Sequence, residues 1–180
     1  MNRETEPKGQ GIYTRKARLA GEELPLFFAA IAREVSADHL TLVCIGTDRS
    51  TGDALGPLTG SRLAAHGFPH VIGTLPDPCD AQSIEEKLGS IPEHHTIVAI
   101  DACLGQRASV GSFLAGQGPL SPAESVGLSL PRVGHYSIAA VVNEKGPKPY
   151  WTLQSTSLHR VMDMASRIAD AAASAFRLIP

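Results

Sequence analysis

The sequence predicts an α/β fold built around a mainly parallel sheet that becomes mixed toward its later strands. Two short apolar runs, residues 42–45 and 96–100, have the continuous hydrophobicity of strands buried on both faces. Other segments place apolar residues at spacings of three and four, which indicates amphipathic helices. This alternation of strands and helices is typical of α/β proteins. A chain of 180 residues is long enough to bury a core as one domain.

Composition and charge exclude several classes of protein. Hydrophobic residues make up 43% of the chain and charged residues 19%, as in globular proteins. The formal net charge of -2 predicts no electrostatic affinity for nucleic acid or for anionic membranes. No apolar run approaches the roughly 20 residues of a membrane-spanning helix, and the N-terminus lacks the apolar region of a signal peptide. We therefore expect a cytoplasmic protein with neither a nucleic-acid nor a membrane partner.

The predicted elements follow an N-terminal segment that has no periodic pattern. Residues 1–21 are polar, and we expect a flexible arm or a strap over the surface, followed by a single domain over residues 22–180. The expected helices cover residues 22–35, 57–65 and 158–178, with a short helix that starts at Asp80 or Ser83 and ends at about residue 88. The expected strands cover residues 42–45, 70–75, 96–100, 109–115, 136–142 and 150–153.

The loop after the first predicted strand places a carboxylate where α/β proteins bind ligands. It runs from Gly46 to Asp53 and leads to Pro57, which suits a first helical position because its missing N–H would have no intrahelical partner. Ligands of parallel sheets gather at the carboxyl ends of the strands. Asp53 is therefore a candidate catalytic residue. The structural alternative is that it only accepts backbone hydrogen bonds near the helix start.

Asp101 is the second candidate because it directly follows the apolar strand at residues 96–100. A charge in that position is costly unless it has a purpose, although Asp101 could also shape a turn. If the two strands are neighbours, Asp53 and Asp101 lie at the same edge of the sheet. Two carboxylates held close together cannot both ionise easily, so one can serve as acid and the other as base. Alternatively, a divalent metal ion could neutralise the pair and activate a water molecule.

His135 is the third candidate because it precedes the strong strand predicted at residues 136–142. If that strand runs antiparallel to the first three, His135 lies at the edge that carries Asp53 and Asp101. Two carboxylates and an imidazole there could bind a divalent ion. Otherwise His135 is a loop residue with a structural hydrogen bond. His94 and His95 are expected to be solvated loop residues at the opposite end of the sheet.

Other side chains suggest substrate contacts or an alternative nucleophile. Arg49 could hold an anionic group of a substrate, and Thr51 is a second candidate for substrate binding. Cys103 could act as a nucleophile with His135 as its base, although buried cysteines more often serve as small hydrophobic residues. Nucleotide binding is not expected, because the carboxylates of Asp48 and Asp53 in the loop would repel phosphate.

Two sequence motifs carry a family resemblance. The run CIGTDRSTGDALGP at residues 44–57, followed by IVAIDACLG at residues 97–105, resembles the sporulation protein YyaC family (DUF1256). That family is similar in turn to the germination protease of spore-formers and, more distantly, to the hydrogenase maturation endopeptidases. The resemblance covers about residues 40–175. It implies a three-layer α/β/α sandwich of the phosphorylase/hydrolase-like kind with a mostly parallel, mixed central sheet.

The resemblance also implies a peptidase site. In the germination protease two aspartates are catalytic: one lies in a similar Asp-Ala-Leu-Gly-Pro segment, which matches Asp53, and the other closes a similar strand, which matches Asp101. In the hydrogenase maturation enzymes a histidine joins two acidic residues to hold nickel of the partner protein, and His135 is its match by order.

The expected function is therefore a sporulation-associated endopeptidase in the forespore or mother-cell cytoplasm. It would hydrolyse peptide bonds of a protein or peptide substrate with water activated by the paired aspartates. Binding of a divalent metal ion and assembly into a homo-oligomer are both compatible with this function. The alternative is a non-catalytic peptide-binding or scaffold protein on a peptidase fold, with its interface at residues 116–132.

Overall fold

The computed structural model describes residues 13–122, 127 and 129–178. The strands are β1 (Ala17–Leu19), β2 (Leu40–Cys44), β3 (Val71–Ile72), β4 (Thr96–Gly105), β5 (Phe113–Gln117) and β6 (Tyr136–Glu144). The α-helices are α1 (Leu24–Ala32), α2 (Leu55–Ala65), α3 (Ile84–Gly89), α4 (Pro149–Gln154) and α5 (Leu158–Ala175). Short 3-10 helices lie at Gly21–Glu23, Ala37–His39 and Arg107–Ser109. Within the described ranges, no helix combines the length and the hydrophobicity needed to cross a membrane.

The six strands form one mixed sheet in the order β1-β5-β6-β4-β2-β3. β3, β2, β4 and β6 run parallel to one another, and β5 is antiparallel to both β6 and β1. The predicted α/β class with a mainly parallel, mixed sheet is confirmed. Because β2, β4 and β6 point the same way, their carboxyl ends lie at the same edge of the sheet.

Helices cover the two faces of the sheet unequally. α1, α2 and α5 form the larger core with one face, and α5 contributes the apolar stripe predicted for it, including Val161, Met164 and Ile168. The other face holds a smaller cluster around Val43, in which α3 and residues of the long loop before β6 take part. Both faces are therefore layered with helix.

Part of the expected N-terminal arm belongs to the sheet. β1 pairs with β5 in the register Ala17↔Ala115, and Leu19 is buried. The prediction of an arm over residues 1–21 is therefore wrong for this strand, and residues 1–12 lie outside the described residues. Three residues are too few to show a strand periodicity, which is why the pattern did not reveal β1.

Two other elements differ from the prediction. The strand expected at residues 150–153 is the helix α4, which has Pro149 in its first turn. β4 does not stop at Asp101 but continues to Gly105. It can continue because β6 pairs with it along this extension, after β2 has ended.

Candidate active site

The loop after β2 is folded tightly back on the start of α2. The Gly46 N–H donates to the carbonyl of Cys79 at 2.9 Å, and Gly46 has a φ of 147°. A Cβ atom at this position would overlap the Asp53 carbonyl oxygen, and one at Gly56 would overlap the carbonyl oxygen of Ile45. Glycine at these two positions therefore allows the backbone contacts that hold Asp53 beside the end of β2.

Helix α4 holds the other side of this loop. The Gly52 N–H donates to the Leu153 carbonyl at 2.8 Å. A Cβ atom at Gly52 would lie 2.8 Å from the Leu153 side chain, so the loop and the helix are in close contact. Leu153 is itself buried. The position of Asp53 thus depends on β2, α2 and α4 together.

Asp101 lies where β2 ends and β4 continues. The pairing of β2 with β4 stops at Cys44↔Ile100, while β4 continues its pairing with β6 through Asp101↔Ala139. The Asp101 carboxylate accepts a hydrogen bond from the Ala102 N–H at 2.8 Å. Asp101 is 9% exposed. Asp101 is therefore a nearly buried acid on β4, at the level where the shorter neighbouring strand β2 ends.

Asp53 and Asp101 line the same pocket, which has a volume of about 230 Å³. Its charged lining residues are Asp53, Asp101, Asp80 and Arg49. Its larger apolar and aromatic lining residues are Ile45, Leu130, Leu153 and Tyr150. Asp80, Tyr150 and Leu153 were not predicted as site residues. Asp80 has a sequence signal, its position near a predicted helix start. Tyr150 and Leu153 have none, because their segment, α4, has the sequence pattern of a strand.

A second pocket, of about 300 Å³, lies on the other side of Asp101. Asp101 and Ala102 line both pockets. The second pocket is further lined by Cys103 on β4 and by Lys16 and Lys145.

Burial and ion pairing give the acids of the first pocket different surroundings. Burial raises the pKa of the Asp53 carboxyl, and the nearby Ser50 hydroxyl offsets part of that rise. Asp80 forms an ion pair with Arg49 at 3.3 Å. Arg49 lines the pocket, whereas Thr51 is half-buried and is not among the lining residues.

His135 does not lie with the two aspartates. β6 runs parallel to β4 and not antiparallel, so its first residues lie at the amino ends of the parallel strands, opposite the pocket. There the His135 Nδ1 accepts a hydrogen bond from the Ile97 N–H at 2.9 Å. The predicted grouping of His135 with Asp53 and Asp101 is therefore wrong, and the structural hydrogen bond weighed as its alternative is the one present.

The predicted metal site and the predicted cysteine nucleophile both need His135 beside Asp101, and His135 lies at the opposite edge of the sheet. No three His, Cys, Asp or Glu side chains in the described parts of the chain are placed to hold a metal ion, so Asp53, Asp101 and His135 do not fit a shared ion. Cys103 has no imidazole base in His135. Burial, together with the nearby charge of Asp101, raises the pKa of its thiol to about 12, which keeps it protonated at neutral pH.

Comparison with known proteins identifies the family. Residues 13–171 match the family described as "Protein of unknown function (DUF1256)". The chain belongs to the DUF1256 family. It is also 42% identical over 156 residues to "Uncharacterized protein YyaC" of Bacillus subtilis (strain 168), an alignment that covers 84% of this chain and 76% of that protein. The predicted resemblance to the YyaC family is thereby confirmed.

The fold of this DUF1256 protein is similar to that of a solved peptidase. The [NiFe] hydrogenase maturation protease HycI from Thermococcus kodakarensis KOD1 matches it with a TM-score of 0.50 over 77% of this chain and 92% of that chain. The two sequences are 19% identical, so the likeness concerns the fold. It confirms the predicted three-layer α/β/α architecture.

Proposed function

We propose that this DUF1256 protein is an endopeptidase whose attacking water is held between Asp53 and Asp101. The observation that carries the proposal is that these two acids, distant in sequence and on different elements, line one pocket. The fold shared with HycI, a maturation protease by name, supports a protein or peptide as the substrate. A role in sporulation remains a prediction from the family resemblance.

The environments of the two acids suggest which of them carries the proton. Burial raises the pKa of Asp53, so this residue is the better general acid. With the proton on Asp53, Asp101 is left as the general base, and its carboxylate accepts the hydrogen bond from the Ala102 N–H. Two neighbouring acids with different environments are the usual arrangement for acid–base hydrolysis.

The reaction that follows from this assignment needs only water and the two aspartates. Asp101 takes a proton from the water as its oxygen attacks the carbonyl carbon of the scissile bond, while Asp53 donates its proton to the carbonyl oxygen. When the tetrahedral intermediate collapses, Asp101 gives its proton to the leaving amine and Asp53 regains one from the intermediate. Both aspartates return to their starting states. The apolar walls around Leu130 and Leu153 limit competing water.

The proposal is tested by incubating the purified full-length protein with an unfolded polypeptide and identifying the products by mass spectrometry. We expect Asp53→Asn and Asp101→Asn each to reduce the cleavage rate by at least about 100-fold, the usual size of a general acid–base contribution. Asp48→Asn is the matched control, since Asp48 lies in the same loop, is exposed and does not line the pocket.

Two results would contradict the proposal. Cleavage that survives both substitutions would remove the aspartates from the chemistry. Stable binding of the polypeptide without any cleavage by the wild-type protein would favour the non-catalytic peptide-binding alternative.

A further inference from the structure

The edge of the sheet opposite the pocket carries a row of histidines. The residue directly before each parallel strand is a histidine: His70 before β3, His39 before β2, His95 before β4 and His135 before β6. Parallel strands begin at the same edge, so the sequence pattern brings these residues together in the fold. This edge has no part in the proposed peptide hydrolysis.

Four imidazole rings form one connected group around His95, and we call His39, His70, His94 and His95 the histidine cluster. The ring centre of His95 lies 4.6 Å from that of His70 and 4.8 Å from that of His94. His39 lies 5.6 Å from His94 and 6.1 Å from His95. At these distances a positive charge on one ring raises the electrostatic energy of a positive charge on the ring next to it.

His95 is the buried centre of the cluster, and the prediction that it is a solvated loop residue is wrong. The residue is 5% exposed, and its Nδ1 is hydrogen-bonded to the Thr41 hydroxyl at 2.9 Å. Burial, followed by the charges of His70, His94 and His39, lowers the pKa of His95. The folded protein therefore resists adding a proton at this ring.

The cluster lacks a counter-ion in the described part of the chain. The carboxylates adjacent to it in sequence, Asp38 and Glu93, form no ion pair with any of its rings. Glu34, from the end of α1, accepts a hydrogen bond from the Tyr136 hydroxyl instead. By contrast, His66 is paired with Asp170 at 2.9 Å. A positive charge on one ring of the cluster is therefore close to other imidazole rings and is not compensated by an ion pair with a carboxylate.

The arrangement fits protons better than a metal ion. No three ligand side chains among the described residues are placed to hold an ion, and the cluster is no exception. The Nδ1 atom of His39 is hydrogen-bonded to the Ser36 hydroxyl at 3.1 Å. Neutral rings make these contacts without difficulty, whereas charging several rings at once would be unfavourable.

We propose that the histidine cluster is a proton-operated switch that loosens the pairing of β3 with β2 as the pH falls below about 6.5, where free imidazole titrates. β3 is the element that yields, because it has only two residues, lies at the sheet edge and is held by the pairs Leu42↔Val71 and Val43↔Ile72. The His70 carbonyl also accepts a hydrogen bond from the Leu42 N–H at 3.0 Å. Repulsion at the His70 ring therefore acts directly on this pairing.

The direction of the pH effect follows from the direction of the shift at His95. Its pKa is lower in the folded than in the unfolded protein, so below about pH 6.5 the unfolded or locally opened state binds more protons. The closed edge is therefore fully stable above that pH and is lost progressively below it. Each additional proton bound by the open state raises the opening equilibrium constant on the order of 10-fold per pH unit.

The experiment compares the full-length wild-type protein with the double variant His70→Gln/His94→Gln. His159→Gln is the control, because His159 is exposed on α5 outside the cluster. Histidine ring signals are titrated by NMR, and exchange of the Leu42 amide is measured between pH 7.5 and pH 5 with correction for intrinsic exchange. In the wild type we expect His95 to titrate below free imidazole and the corrected exchange to accelerate at least about 10-fold.

In the double variant we expect His95 to titrate closer to free imidazole and the pH dependence of the exchange to become weaker, while the burial of His95 keeps the remaining part of both effects. The His159→Gln variant should behave like the wild type. The proposal is overturned if His95 titrates identically in wild type and double variant, or if the exchange at Leu42 does not depend on pH. It is also overturned if one equivalent of Zn²⁺ binds the cluster at neutral pH and protects that amide, since the cluster would then be a metal site.

Discussion

Gly46 controls where the Asp53 carboxylate lies, because the Asp53 backbone packs directly against it. Gly46→Ala introduces a Cβ atom that overlaps the Asp53 carbonyl oxygen in a backbone conformation that favours glycine. We expect it to destabilise the protein by about 2 kcal/mol or more, measured by urea unfolding. Gly89→Ala is the control, because no heavy atom would lie within 4 Å of its Cβ, and it should stay within ~1 kcal/mol of wild type. Equal stability of the two variants would show that the loop does not need this contact.

The Asp53 carboxyl is expected to make the free energy of unfolding depend on pH. Because the pKa of Asp53 is raised above its ordinary value of 3.8 in the folded protein, the native state holds this proton to a higher pH than the unfolded state does. The contribution of Asp53 to stability is therefore greatest at low pH and is lost as the pH rises through the folded-state pKa.

Asp53→Asn removes the cost of ionising a buried acid. We expect this variant to be more stable than wild type at pH 7, on the order of 1 kcal/mol, with the difference disappearing below about pH 4. Chemical unfolding at several pH values measures it, and Asp48→Asn controls for the loss of a negative charge in the same loop. A variant less stable than wild type at pH 7 would show that ionised Asp53 is stabilised in the fold.

At the scale of elements, α4 supports the first pocket from the side opposite β2. Leu153→Ala removes a buried side chain that touches Gly52 and lines the pocket. We expect a loss of about 2–4 kcal/mol in the free energy of unfolding, together with a fall in cleavage rate. Leu26→Ala, on α1, is the control, because its side chain is 66% exposed and its removal should cost ~0.5 kcal/mol or less. A Leu153→Ala variant as stable as this control would mean that α4 is not firmly packed.

The elements that the sequence predicted well are those with long, strong patterns. α5 shows the apolar stripe expected of it, and the apolar runs at residues 42–45 and 96–100 lie within or overlap β2 and β4. Residues 150–153 of α4 have the composition of a strand, with aromatic and β-branched types, and four residues are too few to show the apolar period of a helix. Local sequence is decisive only when an element is long enough to repeat its pattern.

At the scale of the whole molecule, strand direction decided which candidate residues came together. Asp53 and Asp101 could be placed near each other from sequence because both follow parallel strands, and ligands gather at that edge. His135 could not be placed, because the direction of β6 depends on the path of the long loop before it and not on its own residues. The same parallel direction brings the histidines to one edge, a grouping that becomes visible only once all four strands are aligned.

The two aspartates also illustrate what the whole fold adds to a local motif. The sequence placed Asp101 at a strand end, whereas β4 continues past it and only the neighbouring strand stops there. The acid therefore lies at a step in the sheet, with β6 beside it on one side and the first pocket on the other. No local pattern in β4 marks this position, because the step is made by the shorter length of β2.

Because Asp101 and Ala102 line both pockets, Asp101 lies where two hollows meet and not in a single blind hole. A blind hole would admit only the terminus of a polypeptide. Two hollows that meet at one acid let the middle of an extended chain lie across them. Any polypeptide cut at Asp101 is thus expected to be divided internally into two long fragments, without the stepwise removal of single amino acids from one end.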